Sequence, residues 1–464
     1  MALEIKQILY NLPEVKKPLE KKLSFNTKLK WTLIILGAFF ILSNISLYGL
    51  SNNALSRLEF LQLIFATQFG SIISLGIGPI VMSSIILQLL AGSGILSIDT
   101  KTEEGRKYFQ GLQKIGTIFF IIFEAMVYIL MKGLEPSPGF ASILIFQLIL
   151  GGLAIMLMDE VVQKWGFGSG TSLFIVAGVA WELFARLFQF IDPTTGQNCL
   201  FDFANTPCGG NLLIIIQSIL NGAPKEALIA STAIISTIII FLIVIFAQGL
   251  KVEIPLSYER LRGFGMKWPL AFFYASVTPV ILAAALVANI QLFGSLLESW
   301  LDKPTFLGSF SQGRAVSGLA FWISDSNLLE ALIRGSFQNV FIIQAIIHLV
   351  FYTAISAIFA VFWVKTSGMD ESSQAKNILS SGLQIPGFRK DPRVLESILS
   401  RYIMPLTIMG GLSIGALAAL ANLIGALTSG TAILLAVMII HQLYQKIAEQ
   451  HALDMHPALR KIMG

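Results

Sequence analysis

The chain has 464 residues, of which 55% are hydrophobic and only 13% charged, and its formal net charge is +5. Soluble chains are about 25% charged, so this composition excludes a soluble globular enzyme, a disordered chain and a nucleic-acid-binding tail. What remains is a helical membrane protein, because an outer-membrane barrel shows alternating segments of about ten residues rather than long unbroken apolar runs.

Residues 1–30 carry seven lysines and no apolar stretch of the signal-peptide kind, so the first span is expected to stay in the mature protein. Ile5, Ile8, Leu9 and Leu12 fall at helical spacing ahead of Pro13. They read as an amphipathic helix on the membrane surface, with a disordered basic tail as the alternative. Trp31–Ser56 is free of charge and gives span 1. Phe60–Ile98 is a charge-free run of 39 residues. As one helix it would reach about 58 Å at roughly 1.5 Å per residue, nearly twice the hydrocarbon core. Gly70, Gly76, Gly78 and Pro79 mark where it breaks. The expectation is a short helix near 59–69 and span 2 near 72–94. Spans 3 to 8 follow near 112–131, 140–162, 170–190, 227–248, 269–292 and 339–364. The run 211–220 is apolar but too short to span, and is expected in the outer interface. Tyr402–Gln445 is a second overlong charge-free run, of 44 residues, which a turn at Thr428–Gly430 divides into spans 9 and 10.

Ten spans place both termini on one side, and the positive-inside rule tests the count. With the termini cytoplasmic, 25 of the 32 Lys and Arg residues fall on the cytoplasmic side and 7 on the other. A miscount of one span would scramble that ratio. The implied organisation is a cytoplasmic amphipathic N-terminus (1–30), a first half of five spans (31–210), a second half (211–448) and a cytoplasmic C-terminal tail (449–464). The chain is expected in the cell membrane as a multi-pass protein.

No Walker A, HExxH or EF-hand pattern is present. One GxSxG match, Gly411–Gly415, lies inside an apolar helix rather than on a strand-to-helix elbow, and is read as helix packing. No catalytic residue, metal site or cofactor is expected. Two cysteines and four histidines are too thin for a zinc site. Cys199 and Cys208 fall in the outer loop after span 5, where a disulfide is expected; two free thiols are the alternative. Glu124 in span 3 and His348 in span 8 are the ionisable residues well inside spans, and such residues are functional candidates by default. For His348 the competing reading is an interhelical hydrogen bond. Prolines near one end of spans 2 and 7, in LGIGPIV (75–81) and VTPVI (277–281), occupy the second span of each half and suggest an inverted repeat. The loops 249–268 and 364–401 are long and basic. Their arginines suit a phosphate-rich partner, although a solvated charge run fits them as well. These features look like pore architecture; an ion-coupled secondary transporter of inverted-repeat type stays open, although such a protein usually carries more ionisable residues inside its spans.

Further segments carry a closer resemblance: QLL (88–90), FQG (109–111), DEVVQKWGFGSG (159–170), VEIPL (252–256), PVILAAAL (279–286), ANIQL (288–292), GRAV (313–316), GFRK (387–390) and NLIGAL (422–427). With LGIGPIV they fall in order from span 2 to span 10. The chain resembles the SecY family, the central channel subunit of the Sec protein translocase, and within it the archaeal branch, which is similar to the eukaryotic translocon alpha subunit.

The resemblance implies an all-α membrane protein, an hourglass channel between spans 1–5 and 6–10 with a short plug helix after span 1, and no cofactor. It implies a pore ring at Ile77, Val81, Thr171, Ile175, Ile281 and Leu435, with Thr171 standing where an apolar residue is usual. It implies a lateral gate between spans 2–3 and 7–8, at which Glu124, Asn289 and Met82 match a polar cluster. Met82 replaces a hydroxyl residue there, and Glu124 and Asn289 are expected to hydrogen-bond across the gate. Loops 6/7 and 8/9, with Arg260, Arg262, Arg389 and Lys390, would bind the ribosome. The implied partners are SecE, a small beta-type subunit (SecG or Sec-beta), the ribosome, signal sequences, nascent polypeptides and lipid, with ribosomal RNA touched only through the ribosome.

Overall fold

The computed structural model describes residues 13–19, 23–93, 95–96, 102–191, 197–201, 203, 206–258, 265–311, 313–381, 383–384 and 391–455. Nine helices among them are long and apolar enough to cross a membrane. With the 15-residue apolar helix Gly78–Gly92 they make ten spans. Spans 1 to 5 are Phe25–Asn44, Gly78–Gly92, Glu103–Leu130, Ala141–Trp165 and Gly170–Phe188. Spans 6 to 10 are Pro224–Gly249, Thr278–Leu301, Asn339–Thr366, Pro392–Ile424 and Gly430–Met455.

Local chemistry sets the span ends, and it moves several from where charge-free runs put them. Span 1 begins at Phe25, not Trp31, because the Ser24 hydroxyl caps it by accepting from Thr27 N. It ends at Asn44, well before Ser56, because the chain then turns extended. Leu47 N donates to Gly70 O at 2.8 Å, and β1 (Leu50–Asn53) pairs antiparallel with β2 (Leu134–Pro136). Span 2 begins at Gly78 rather than near 72, since a proline is tolerated only in a helix's first turn and Pro79 occupies it. Span 7 begins at Thr278 for the same reason, with Pro279 in its first turn. Residues 269–271, assigned to the span by composition, end strand β4 (Gly265–Ala271), which pairs with β3 (Lys251–Tyr258), and a turn over 272–277 leads into the helix. Span 9 starts ten residues ahead of Tyr402, where Asp391 caps it. Its 33 residues reach about 50 Å, so one end stands clear of a bilayer of about 30 Å.

The two halves are inverted copies in their details. Spans 2 and 7 both open on a proline in the first turn, and each is preceded two residues earlier by left-handed backbone, Gly76 (φ 54°) and Ser276 (φ 65°). Spans 4 and 5 are joined by a turn ending Ser169-Gly170-Thr171, and spans 9 and 10 by one ending Ser429-Gly430-Thr431. With ten spans these equivalent turns lie at opposite ends of the molecule, which is the inversion.

The end carrying the termini is tied together by polar bonds. Lys28 Nζ donates to Gln450 Oε1 at 2.9 Å, and Gln450 Nε2 to Leu23 O at 3.1 Å. Lys164 donates to Val15 O and pairs with Glu14, while Trp165 Nε1 donates to Lys16 O. The segment 13–17 thus lies across the end of span 4; the expected amphipathic helix, Ile5 to Leu12, lies outside the described residues. Strands β5 (Ser309–Ser311) and β6 (Arg314–Ser317) pair with each other between spans 7 and 8, while β3 and β4 are joined by β7 (Leu383–Gln384) from the link between spans 8 and 9, in the order β4-β3-β7. A second apolar cluster, including Ile254, Leu270, Ala375, Leu399 and Ile403, packs this sheet on span 9. At the opposite end Cys199 and Cys208 form a disulfide. Gln217 of the helix Asn211–Leu220 pins that loop, donating to Phe203 O and Thr206 O and accepting from Cys208 N.

Candidate functional site

All six positions expected in the ring fall in the opening turns of four helices. Ile77 caps span 2 and Val81 is in its first turn; Thr171 and Ile175 open span 5, Ile281 opens span 7 and Leu435 lies in the second turn of span 10. Spans 2, 7, 10 and 5 touch in that order. Ile77, Ile175 and Leu435 are fully buried, Val81 nearly so, and Thr171 and Ile281 are half-buried. The Thr171 hydroxyl pairs with that of Ser169 at 2.6 Å, so its polar group is partnered.

The segment between spans 1 and 2 closes over these helices. The helix Glu59–Ile64 packs against spans 5 and 7, with Leu58, Leu61, Ile64 and Phe65 buried. It is shorter than the expected 59–69, because the chain reverses at Ala66, where φ is +46°. The return is stitched by Thr67 Oγ1 donating to Ile73 O at 2.6 Å and by Ile77 N donating to Phe65 O at 2.8 Å. Gly76 sits in that stitch, and a Cβ there would stand 2.2 Å from Phe65 O. Only glycine fits both the left-handed φ and the backbone contact.

Glu124 is buried in span 3 and points at the start of span 2; a methyl on Gly78 would lie 3.3 Å from Glu124 Oε2. A helix N-terminus favours such an acidic group. Met82, one turn further along span 2, is half-buried. Asn289 in span 7 is buried, but the expected bond to Glu124 is not made. Its Nδ2 donates to Ala285 O, one turn back on its own helix, at 2.8 Å. Glu124 Oε1 and Asn289 Oδ1 are left buried with no protein donor among the described residues. The amide finds a nearer acceptor in its own backbone, as short polar side chains in helices do.

His348 is buried and bonded at both ring nitrogens. Ile323 O only accepts, so Nδ1 carries the proton of that 2.7 Å bond, and Nε2 accepts from Asn422 Nδ2 at 3.4 Å. Asn422 in turn holds the start of span 10. Its Oδ1 accepts from Thr431 N at 2.9 Å and from Ser429 Oγ, and its Nδ2 donates to Thr431 Oγ1. Asp159 does the same for span 5, where Oδ1 accepts from Thr171 N at 2.8 Å. Neither Asp159 nor Asn422 was singled out from the sequence; the repeated Ser-Gly-Thr was the available signal. Arg260, Arg262, Arg389 and Lys390 lie outside the described residues.

Relatives place the chain. A sequence profile of the SecY family matches residues 71–444. The chain belongs to the SecY family. It is 42% identical to protein translocase subunit SecY of Methanothermobacter thermautotrophicus, covering 98% of this chain and 97% of the relative. It is 38% identical to the same subunit of Methanococcus vannielii, over the full length of both. Among solved structures, a protein-conducting channel superposes with a TM-score of 0.81 at 38% identity, covering 97% of this chain and 98% of that one. Sec61 in the canine ribosome-channel complex gives 0.77 at 37% identity, with the same coverage. A third family structure, at 0.81 and 37% identity with that coverage again, is of a SecY channel whose plug domain stabilises the closed state and maintains a membrane seal. The helix Glu59–Ile64 and its return to Gly78 are this chain's plug.

Proposed function

We infer that this chain is the protein-conducting subunit of a Sec translocase. It passes unfolded secretory polypeptides across the membrane and releases membrane-protein segments into lipid through a seam between spans 2–3 and 7–8. The observation that carries this is the plug, seated on spans 5 and 7 and tied by its Phe65 carbonyl to Ile77, the first ring position. Ile77, Val81, Thr171, Ile175, Ile281 and Leu435 form the seal. A narrow apolar constriction excludes water and ions by dewetting yet yields to a polypeptide. Span 2 touches both spans 7 and 8, so the seam closes there, beside Glu124, Asn289 and Met82. The covalent link between the halves runs elsewhere, through the disulfide loop.

The charge ratio, 25 of 32 Lys and Arg residues on one side, supports cytoplasmic termini, a cytoplasmic β4-β3-β7 sheet and a place in the cell membrane. Sec61 bound to a ribosome supports a ribosome as partner on that sheet's loops, and the family resemblance supports SecE and a small beta-type subunit. The chain does its work by opening and closing, with no catalytic chemistry of its own.

The ring is tested at its polar member. Thr171→Ile is expected to leave the resting channel no leakier, and Thr171→Asp to raise its ion leak, because a charge at a constriction holds water in it. Planar-bilayer recordings decide this; equal conductance for wild type and Thr171→Asp rejects Thr171 as a ring residue.

A further inference from the structure

Two polar side chains outside the ring hold the ring's helices, one in each inverted half. Span 5 begins at Gly170 and span 10 at Gly430. In each, the second residue is a threonine whose backbone N–H would be an orphan of the helix start. Thr171 N is met by Asp159 Oδ1 from the end of span 4 at 2.8 Å, and Thr431 N by Asn422 Oδ1 from the end of span 9 at 2.9 Å. In each, a ring residue follows four positions later, one helical turn on: Ile175 and Leu435; in span 5 the capped Thr171 is itself a ring position.

The approach is close in both halves. A Cβ on Gly170 would lie 2.5 Å from Asp159 Cα, and one on Gly430 would lie 2.2 Å from the Ala421 carbonyl carbon. Each cap is itself braced. Asp159 Oδ2 accepts from Gln163 Nε2 at 2.7 Å. Asn422 is fixed on three sides by Thr431, Ser429 and His348, and His348 is anchored to Ile323 O. The second cap is therefore wired to span 8, which lines the seam.

We propose that Asp159 and Asn422 are positioning residues of the constriction: they fix the first turns of spans 5 and 10 so that Ile175 and Leu435 meet in the closed channel. This rests on the ring assignment above, at Ile175 and Leu435. The inverted pairing explains why an acid in one half and an amide in the other stand at equivalent places. What both supply is a carbonyl-type oxygen aimed at one backbone N–H. His348 adds an unequal element, since only the second-half cap is linked to a gate helix.

The test uses the full chain in planar bilayers, with resting conductance measured per folded channel after size-exclusion purification. Leu435→Ser is the ring control and is expected to leak. Asn422→Leu and Asp159→Leu are each expected to raise resting conductance about tenfold, the effect of a shift of about 1.4 kcal/mol in the closed-to-open balance. Asp159→Asn keeps the capping oxygen and is expected to stay within about twofold of wild type, whereas Asn422→Asp keeps the oxygen but loses the Nδ2 donor to Thr431 Oγ1 and His348 Nε2 and is expected to fall between wild type and Asn422→Leu. Adding Leu435→Ser to Asn422→Leu should give less than the product of the two effects, because both loosen the same contact.

If the leucine variants yield too little folded protein, Asn422→Gln and Asp159→Glu replace them. These move the oxygen by one methylene and are expected to leak as well. A merely structural role predicts less folded protein with unchanged conductance per channel, and that result overturns the proposal while leaving the ring intact if Leu435→Ser leaks. A silent Leu435→Ser overturns the ring assignment, and the proposal with it.

Discussion

Gly76→Ala is expected to unseat the plug and raise the resting ion conductance severalfold or more, with the ring residues themselves unchanged. A β-carbon at that position meets Phe65 O at 2.2 Å and Thr67 Cβ at 2.8 Å, and the backbone there is left-handed. The left-handed conformation alone costs an L-residue about 1–2 kcal/mol. Relief comes by moving the Phe65 carbonyl away from Ile77 N, which releases the end of the plug helix from the mouth of span 2. Bilayer recordings of the variant with and without a signal peptide check this. A variant as tight as wild type would show that the Phe65–Ile77 stitch does not hold the seal.

The second large effect concerns the basic loops. Arg260→Glu or Arg389→Glu is expected to leave the chain folded, since a charged loop side chain seldom contributes more than about 1 kcal/mol to stability. Each is expected to weaken ribosome binding markedly. Ribosomal RNA presents dense phosphate, arginine's fork matches it, and binding by counterion release falls steeply with salt. Strand β7 pairs with β3 through Ser257–Gln384 and Tyr258–Leu383, so the two loops share one sheet and are expected to act as one surface. Sedimentation at two salt concentrations reads this. Mutants that pellet with ribosomes like wild type at both salts would leave these arginines only a topological role.

The sequence was most informative where physics is local and one-dimensional. Charge-free runs found all ten spans because hydrocarbon tolerates little charge over about 20 residues, and Pro79 and Gly76 located the break after the plug. The run Trp31–Ser56 overshot span 1 because a charge-free stretch need not be helical: β1 is extended, half-buried to exposed, and paired with the link after span 3. Tyr402 was too late a start for span 9, since a helix may leave the membrane and continue in water with charges on its flanks. The sheet β4-β3-β7 was not legible, because its last pairing joins residues more than 120 positions apart, Ser257 and Gln384.

At the site, the resemblance supplied expected ring and gate positions but not the partners of their polar groups. The expected Glu124–Asn289 bond failed on a competition that composition does not reveal, between a carboxylate across the seam and the Ala285 carbonyl one turn away. The caps Asp159 and Asn422 were overlooked because a polar residue at a helix end reads as solvated until the turn that covers it is known.

The central claim is that this chain conducts polypeptide. The most direct measurement reconstitutes it with the proposed SecE and beta-type subunits in proteoliposomes, presents a secretory polypeptide on ribosomes, and assays protection of that polypeptide from added protease. The account predicts protection that is lost when the vesicles are opened with detergent and reduced by charge reversal at Arg389. Full digestion of the polypeptide by intact vesicles, together with gradient-driven uptake of a small solute, would contradict it.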